Sequence, residues 1–189
     1  MPANAVVLYG PPAAGKDTIT AALTRLDPRY LLFDKLKAGG GQLNGYRPST
    51  DAEIDRLGEA GLLLHDSRRY GNRYAVDRPH LDELVAAGRI PIIHMGQIVG
   101  VRAVLRHPAR WLPVVLWCSR DTAALRLAQR GSADVEARLA AWDETLADLA
   151  GEEPTRSYLR IDTEHHDPES AAMLIHARTL AGGPAPLDP

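Results

Sequence analysis

Short apolar runs without polar alternation recur along the chain, each followed by a stretch with apolar residues every three or four positions. Ala5 to Tyr9 is the first such run. Ile19, Ala22, Leu23 and Leu26 then share one face of a helix from about Gly15 to Leu26. Tyr30–Phe33, Ile90–His94, Leu112–Cys118 and Tyr158–Ile161 read as four further strands. Helical periodicity fills the intervals near Arg78–Ala87, Gln97–Arg106, Arg120–Gln129, Val135–Ala150 and Pro168–Leu180. Strands that do not alternate are buried on both faces, and strands separated by helices are joined by crossovers. The pattern therefore predicts an α/β fold with a five-stranded parallel sheet and helices on both faces.

Two segments interrupt this rhythm. Gly39 to Tyr74, within an insertion spanning about residues 36–77, is polar and glycine-punctuated, with a short strand signal at Leu62–His65. "RGSAD", Arg130 to Asp134, is a brief turn inside a lid-like segment of about 126–138. Both follow the carboxyl ends of strands, where open α/β sheets bind ligands. The 189 residues suit one domain over 1–183, and the Gly/Pro-rich end, 184–189, reads as a flexible tail.

Composition narrows the class without naming a chemistry. A formal charge of −2 gives no basis for a nucleic-acid partner. No apolar run is long enough to span a membrane, and no charged-then-apolar leader opens the chain, so a cytoplasmic protein is expected. The single cysteine, Cys118, excludes an internal disulfide framework and lies in an apolar run as a buried thiol. His165 and His166 are adjacent loop histidines without metal-ligand spacing and are expected to face solvent.

The chemistry sits in "YGPPAAGKDT", Tyr9 to Thr18. A predicted strand leads into Gly10, Pro11, Pro12, Ala13, Ala14, Gly15 and Lys16, and a helix follows. Glycines let backbone N–H groups turn toward a polyphosphate, the helix N-terminus adds a positive dipole end, and Lys16 adds a point charge. The residue after the lysine is usually a hydroxyl that ligates Mg²⁺. Here it is Asp17, with the hydroxyl one place later at Thr18. Either supplies an oxygen donor for Mg²⁺. ATP and Mg²⁺ are thus the expected cofactors.

From this loop onward the chain resembles the guanylate kinase superfamily, which includes the ribose 1,5-bisphosphate phosphokinases, whose loop often carries the same Gly-Lys-Asp. "YGNRYAV" (Tyr70–Val76) is similar to the family's Gly-Asn-Tyr-Tyr-Gly segment. "GQIVGVRAV" (Gly96–Val104) resembles the segment after the third strand, and "LRLAQRGSADVEARLAAWDETLADL" (Leu125–Leu149) resembles the lid and the helix after it. The resemblance implies a nucleoside-monophosphate-kinase-like fold with an acceptor-binding insertion. It implies that Arg126, Arg130 and Arg138 are lid arginines closing over the phosphates, that Tyr74 contacts the acceptor phosphate, and that Asp162–Thr163 lies on the adenine side. Guanidinium forks suit the charge that develops on a transferring phosphoryl group.

The acceptor half departs from that family. Its guanine-reading glutamate falls at His65, its strand-three acid segment becomes "IIHMGQ" with His94 and Gln97 in place of carboxylates, and its serine-rich phosphate grip becomes "FDKLKAGGGQ". Lys35, Lys37 and Arg47 supply positive charge there, and Arg68, Arg69 and Arg73 cluster near Tyr74, so a small anionic acceptor is expected, with GMP disfavoured. Asp34, at the end of the second strand, suggests a second option: an alcohol acceptor with Asp34 as base. A non-catalytic nucleotide-binding module and a nucleotide hydrolase are the remaining alternatives. Either a monomer or a homodimer fits.

Overall fold

The computed structural model describes residues 2–41, 43–69, 71–132, 134–151 and 157–182; the expected flexible tail lies outside them. In chain order the elements are β1 (Ala5–Tyr9), α1 (Lys16–Leu26), β2 (Tyr30–Leu32), β3 (Lys35–Ala38), β4 (Tyr46–Pro48), α2 (Asp51–Glu59), β5 (Leu63–Arg69) and β6 (Asn72–Asp77). They continue with α3 (Arg78–Ala86), β7 (Ile90–Met95), α4 (Ile98–Leu105), β8 (Trp111–Trp117), α5 (Arg120–Gln129), α6 (Val135–Gly151), β9 (Leu159–Asp162) and α7 (Pro168–Ala181).

The five apolar runs form one parallel sheet in the order β2-β7-β1-β8-β9. Every residue of β1 is buried, because alternate side chains enter different cores. Val6 and Leu8 pack with Ile19 and Leu23 of α1 and Ile175 of α7. Ala5, Val7 and Tyr9 pack with Leu81 of α3 and Val101 and Val104 of α4. Helices on both faces are what an unalternating strand requires. The strand ends differ from the sequence expectation by a residue or so.

The insertion is more ordered than its sequence suggested. It folds into a second sheet, β4-β3-β6-β5, covered by α2. Leu36, Ala38, Ile54 and Ala75 form a small core of its own beneath this sheet. A single strand signal at Leu62–His65 thus becomes four strands and a helix. The strands are short and carry charged residues on both faces, Arg69 on one and Arg68 and Arg73 on the other, so no window holds enough alternation to stand out. Thr50 caps α2 by accepting from Glu53 N at 3.1 Å.

Among the described residues, no helix is long and apolar enough to cross a membrane. Cys118 is buried, as expected. His165 is exposed beside Asp162 at 3.2 Å, and no group of three or more metal-ligating side chains occurs among the described residues.

Candidate active site

β1 ends at Tyr9 and α1 begins at Lys16, so the loop between them closes at the carboxyl edge of the sheet. The backbone passes so near β8 that a Cβ on Gly10 would lie 2.2 Å from Leu116 O. Only a glycine fits there. Ala13 takes a positive φ of 63°, rare for a residue with a side chain. Its carbonyl is held by Arg126 Nη1 at 3.0 Å, and the same guanidinium bonds Thr163 Oγ1 at 3.0 Å and Thr163 O at 2.8 Å. Arg126 therefore braces the loop against the end of β9. It is not among the cleft-lining residues, which corrects its assignment as a lid arginine. Asp162–Thr163 does meet the loop, through this brace.

A cleft of about 330 Å³ opens above the loop. Gly10, Pro12, Ala13, Ala14, Gly15, Lys16 and Asp17 form its floor; Pro11 lies beneath, its carbonyl accepting from Lys16 Nζ at 2.9 Å. Lys16 Nζ also donates to Gly10 O at 2.6 Å, which holds the ammonium over the loop. Arg130, an exposed residue capping α5, and Arg138 of α6 line the cleft from the side of these two helices; Arg138 also bonds Asp134 at 2.7 Å.

Strand alternation decides which residues of the insertion face this cleft. On β5, His65, Ser67 and Arg69 point into it, together with Tyr74, the cross-strand partner of Ser67 on β6. Asp66, Arg68 and Arg73 occupy the opposite parity. Arg68 pairs with Asp51 at 2.8 Å, and Arg73, only 8% exposed, bonds Asp55 at 2.7 Å and Asp66 at 2.6 Å. Arg68 and Arg73 thus tie β5 and β6 to α2 and do not line the site. These carboxylates hold the Arg73 guanidinium well above its usual range. Arg73→Met is expected to cost about 1–3 kcal/mol of stability, read by thermal melting, with ATP affinity unchanged.

On β3, Lys35 enters the cleft, whereas Lys37 is buried with its ammonium 5.6 Å from the centroid of the Tyr46 ring. Arg47 turns away to Asp77 and, at 2.9 Å, to Asp34 O. Neither Lys37 nor Arg47 lines the cleft. Asp34 does not line it either: the chain leaves the main sheet at this residue, and the next one, Lys35, carries the side chain inward. Tyr46, Ser67, Arg69 and Met95 line the cleft and were not among the sequence candidates for binding, although Arg69 was noted in its arginine cluster. Period-two counting from His65 would have found Ser67 and Arg69; no local signal marks Tyr46.

The lining of the cleft is predominantly cationic. Burial pushes Lys16 down to about 8 from the usual 10.5, opposed by Asp17 and assisted by Arg130 and Arg138. Burial, with Lys16 nearby, pushes Lys35 down to about 8 as well. Lys35 Nζ donates to His94 O and lies 3.8 Å from Met95 Sδ. Burial and the two lysines push His94 down to about 3, and burial with Lys35 lowers His65, so both imidazoles are neutral at pH 7. His65 packs so closely on α4 that a Cβ at Gly100 would lie 2.9 Å from its Nε2. Gln97, the N-cap of α4, completes the wall without a side-chain cap bond.

The sign of the pH dependence follows. Below about pH 8 both lysines carry charge and attract a polyphosphate; above it they neutralise and affinity falls. A bound polyphosphate raises both lysines, so binding near pH 8 takes up protons. Calorimetry of ATP binding in two buffers of different ionisation enthalpy reads this uptake directly. For the free protein, the cost of burying these charges is relieved as pH rises from about 8 toward 10.5.

The donor set suits Mg²⁺. Asp17 lines the cleft with a side chain that is 79% exposed, offering a hard oxygen. Mg²⁺ keeps several waters and is commonly held by one or two carboxylates plus substrate phosphates, so one carboxylate here is sufficient. Thr18 is exposed and does not line the cleft. Of the two candidates, Asp17 alone is among the described residues that line the cleft.

A glycine-bounded loop between a buried strand and a helix, roofed by arginines at the carboxyl edge of a parallel sheet, defines a P-loop fold with a cationic cleft. In sequence the chain is similar to guanylate kinases, and it shares its fold with a guanylate kinase structure. The guanylate kinase of Symbiobacterium thermophilum is 31% identical over 138 residues, which are 70% of this chain and 65% of that protein. That of Bordetella pertussis is 29% identical over 133 residues, 68% of this chain and 62% of that protein. That of Streptomyces coelicolor is 29% identical over 174 residues, covering 82% and 88%. The chain thus spans slightly less than two thirds of the first two relatives. A guanylate kinase structure from Anaplasma phagocytophilum superposes with a TM-score of 0.62 at 15% identity, covering 94% of this chain and 87% of that one. A sugar kinase from Janibacter sp. HTCC2649 gives 0.54 at 19% identity, covering 95% of each chain. These two share the fold. No family model matches the chain.

Proposed function

We propose that the protein is a cytoplasmic, ATP- and Mg²⁺-dependent kinase that transfers the γ-phosphoryl group to a small anionic acceptor, a sugar phosphate or a nucleotide-like compound other than GMP. The observation that carries this reading is the sign of the cleft. Lys16, Lys35, Arg69, Arg130 and Arg138 converge on it, and Asp17 is its one carboxylate among the described lining residues. An anionic acceptor is already nucleophilic and needs no general base, so the absence of Asp34 from this wall costs that reaction nothing.

In this reading the loop amides and Lys16 grip the donor phosphates, and Arg130 and Arg138 stabilise charge on the transferring group. Lys35 and Arg69 draw the acceptor's anionic group, with Tyr74 and Ser67 orienting it. Asp17 would hold Mg²⁺, whose contribution when bound is to neutralise the donor phosphates. His65 replaces an acidic base reader with a neutral ring, which removes the pairing a guanine N1–H and N2–H₂ would require.

Steady-state assays with ATP, Mg²⁺ and a panel of nucleoside monophosphates, sugar phosphates and alcohols test this. Turnover with a phosphorylated acceptor, and little with alcohols, is expected. ATP consumption without any acceptor would favour a hydrolase. Turnover confined to alcohols would return the base question to residues outside this wall.

A further inference from the structure

Asp17 stands where phosphate loops usually place a hydroxyl, and its exposed carboxylate has nothing on its own helix to fix its direction. Behind it runs a short chain of side chains. Thr20, buried on α1, puts Oγ1 2.7 Å from His94 Nε2. On the other side of the ring, His94 Nδ1 faces Asp17 Oδ1 at 3.5 Å. The end of β7 that carries the ring is itself held, since His94 O accepts from Lys35 Nζ.

A neutral imidazole has one N–H and one lone pair, so the two contacts constrain each other. With the hydrogen on Nε2, the Nδ1 lone pair would confront a carboxylate. With the hydrogen on Nδ1, the Thr20 hydroxyl donates to Nε2 and Nδ1–H points at Asp17, and both contacts are attractive. A separation of 3.5 Å is long for a hydrogen bond, but a small rotation of the exposed Asp17 side chain closes it.

We propose that His94 is a positioning residue: Thr20 sets its tautomer, and its Nδ1–H fixes the Asp17 carboxylate in the direction needed to hold the nucleotide's divalent cation. The inference rests on the kinase reading and adds to it a reason why an aspartate works in this loop. Mg²⁺ demands near-ideal octahedral geometry, so a freely rotating carboxylate is a poor ligand. Groups that orient a metal's ligands typically account for about 10–100-fold in metal affinity.

The test measures metal, not turnover. Mn²⁺ binding to the protein–ADP complex is followed by electron paramagnetic resonance, and ADP binding without metal by calorimetry. His94→Gln is expected to raise the Mn²⁺ midpoint about 10-fold and leave metal-free ADP affinity within about twofold. His94→Asn, whose amide nitrogen lies near the position of Nδ1, should recover most of the loss. In an Asp17→Asn background the His94 substitution should have no further effect. Thr20→Val, which leaves the ring in place but removes its hydrogen donor, should raise the midpoint about threefold on the same scale. An unchanged midpoint in His94→Gln or in Thr20→Val overturns the inference, as does an equal loss of metal-free ADP affinity. A wild-type protein that takes up no Mn²⁺–ADP overturns the kinase reading and this inference together.

Discussion

Lys16→Ala should lower kcat by at least about 10²–10³-fold, the usual consequence of removing one charge-stabilising donor from a transferring group. The fold should survive. Among the described residues, Lys16 Nζ donates to two carbonyls of its own loop, and its burial disfavours the charged form. Removing the ammonium therefore relieves a desolvation cost, and the melting temperature should hold or rise slightly. Both values come from one preparation, by steady-state assay at saturating ATP and acceptor and by a thermal melt. Activity within tenfold of wild type would mean that the loop does not hold the reacting phosphate. A non-catalytic binding module would behave differently again, having no turnover to lose.

Gly10→Ala is the largest expected structural effect. The added methyl would sit 2.2 Å from Leu116 O, a backbone atom of β8 paired on both edges within the main sheet. A flexible side chain could move aside; a central strand's carbonyl cannot. Overpacking of this kind costs about 1–3 kcal/mol and a forced backbone about as much again. A loss of about 3 kcal/mol corresponds to roughly 6–12 °C in Tm for a domain of this size. Since relief requires the loop to lift from β8, ATP affinity should fall too. A stable variant with normal ATP binding would show that the loop tolerates displacement, contrary to the close approach described here.

The sequence and the structure agree where burial is strong. Val6, Leu8 and their neighbours form a short unbroken apolar run, and only a strand covered on both faces accommodates that. The phosphate loop was equally legible, because backbone amides do the binding and glycine spacing records where the backbone must turn. Of the sequence candidates, Lys16, Asp17, Arg130, Arg138, His65, Tyr74, His94, Gln97 and Lys35 line the cleft. Arg126, Arg68, Arg73, Lys37, Arg47, Asp34 and Thr18 do not. In the arginine cluster the cause is parity: one residue's shift along β5 separates Arg69 in the cleft from Arg68 on the α2 side.

By itself, the sequence determined the parallel sheet, the loop that ends its first strand, and the cationic character of the ligand site. All three follow from local information: apolar runs, glycine spacing and side-chain charge. Only the tertiary structure decided which charges share the cleft. Arg73 is paired with aspartates from α2 and β5, and Arg126 is hydrogen-bonded by carbonyl and hydroxyl oxygens of two loops. Placement, more than pairing, makes a charge a candidate binding group: Arg138 lines the cleft while bonded to Asp134, and Arg69 while paired with Glu144, and that placement is settled by strand register and by helices that arrive from elsewhere.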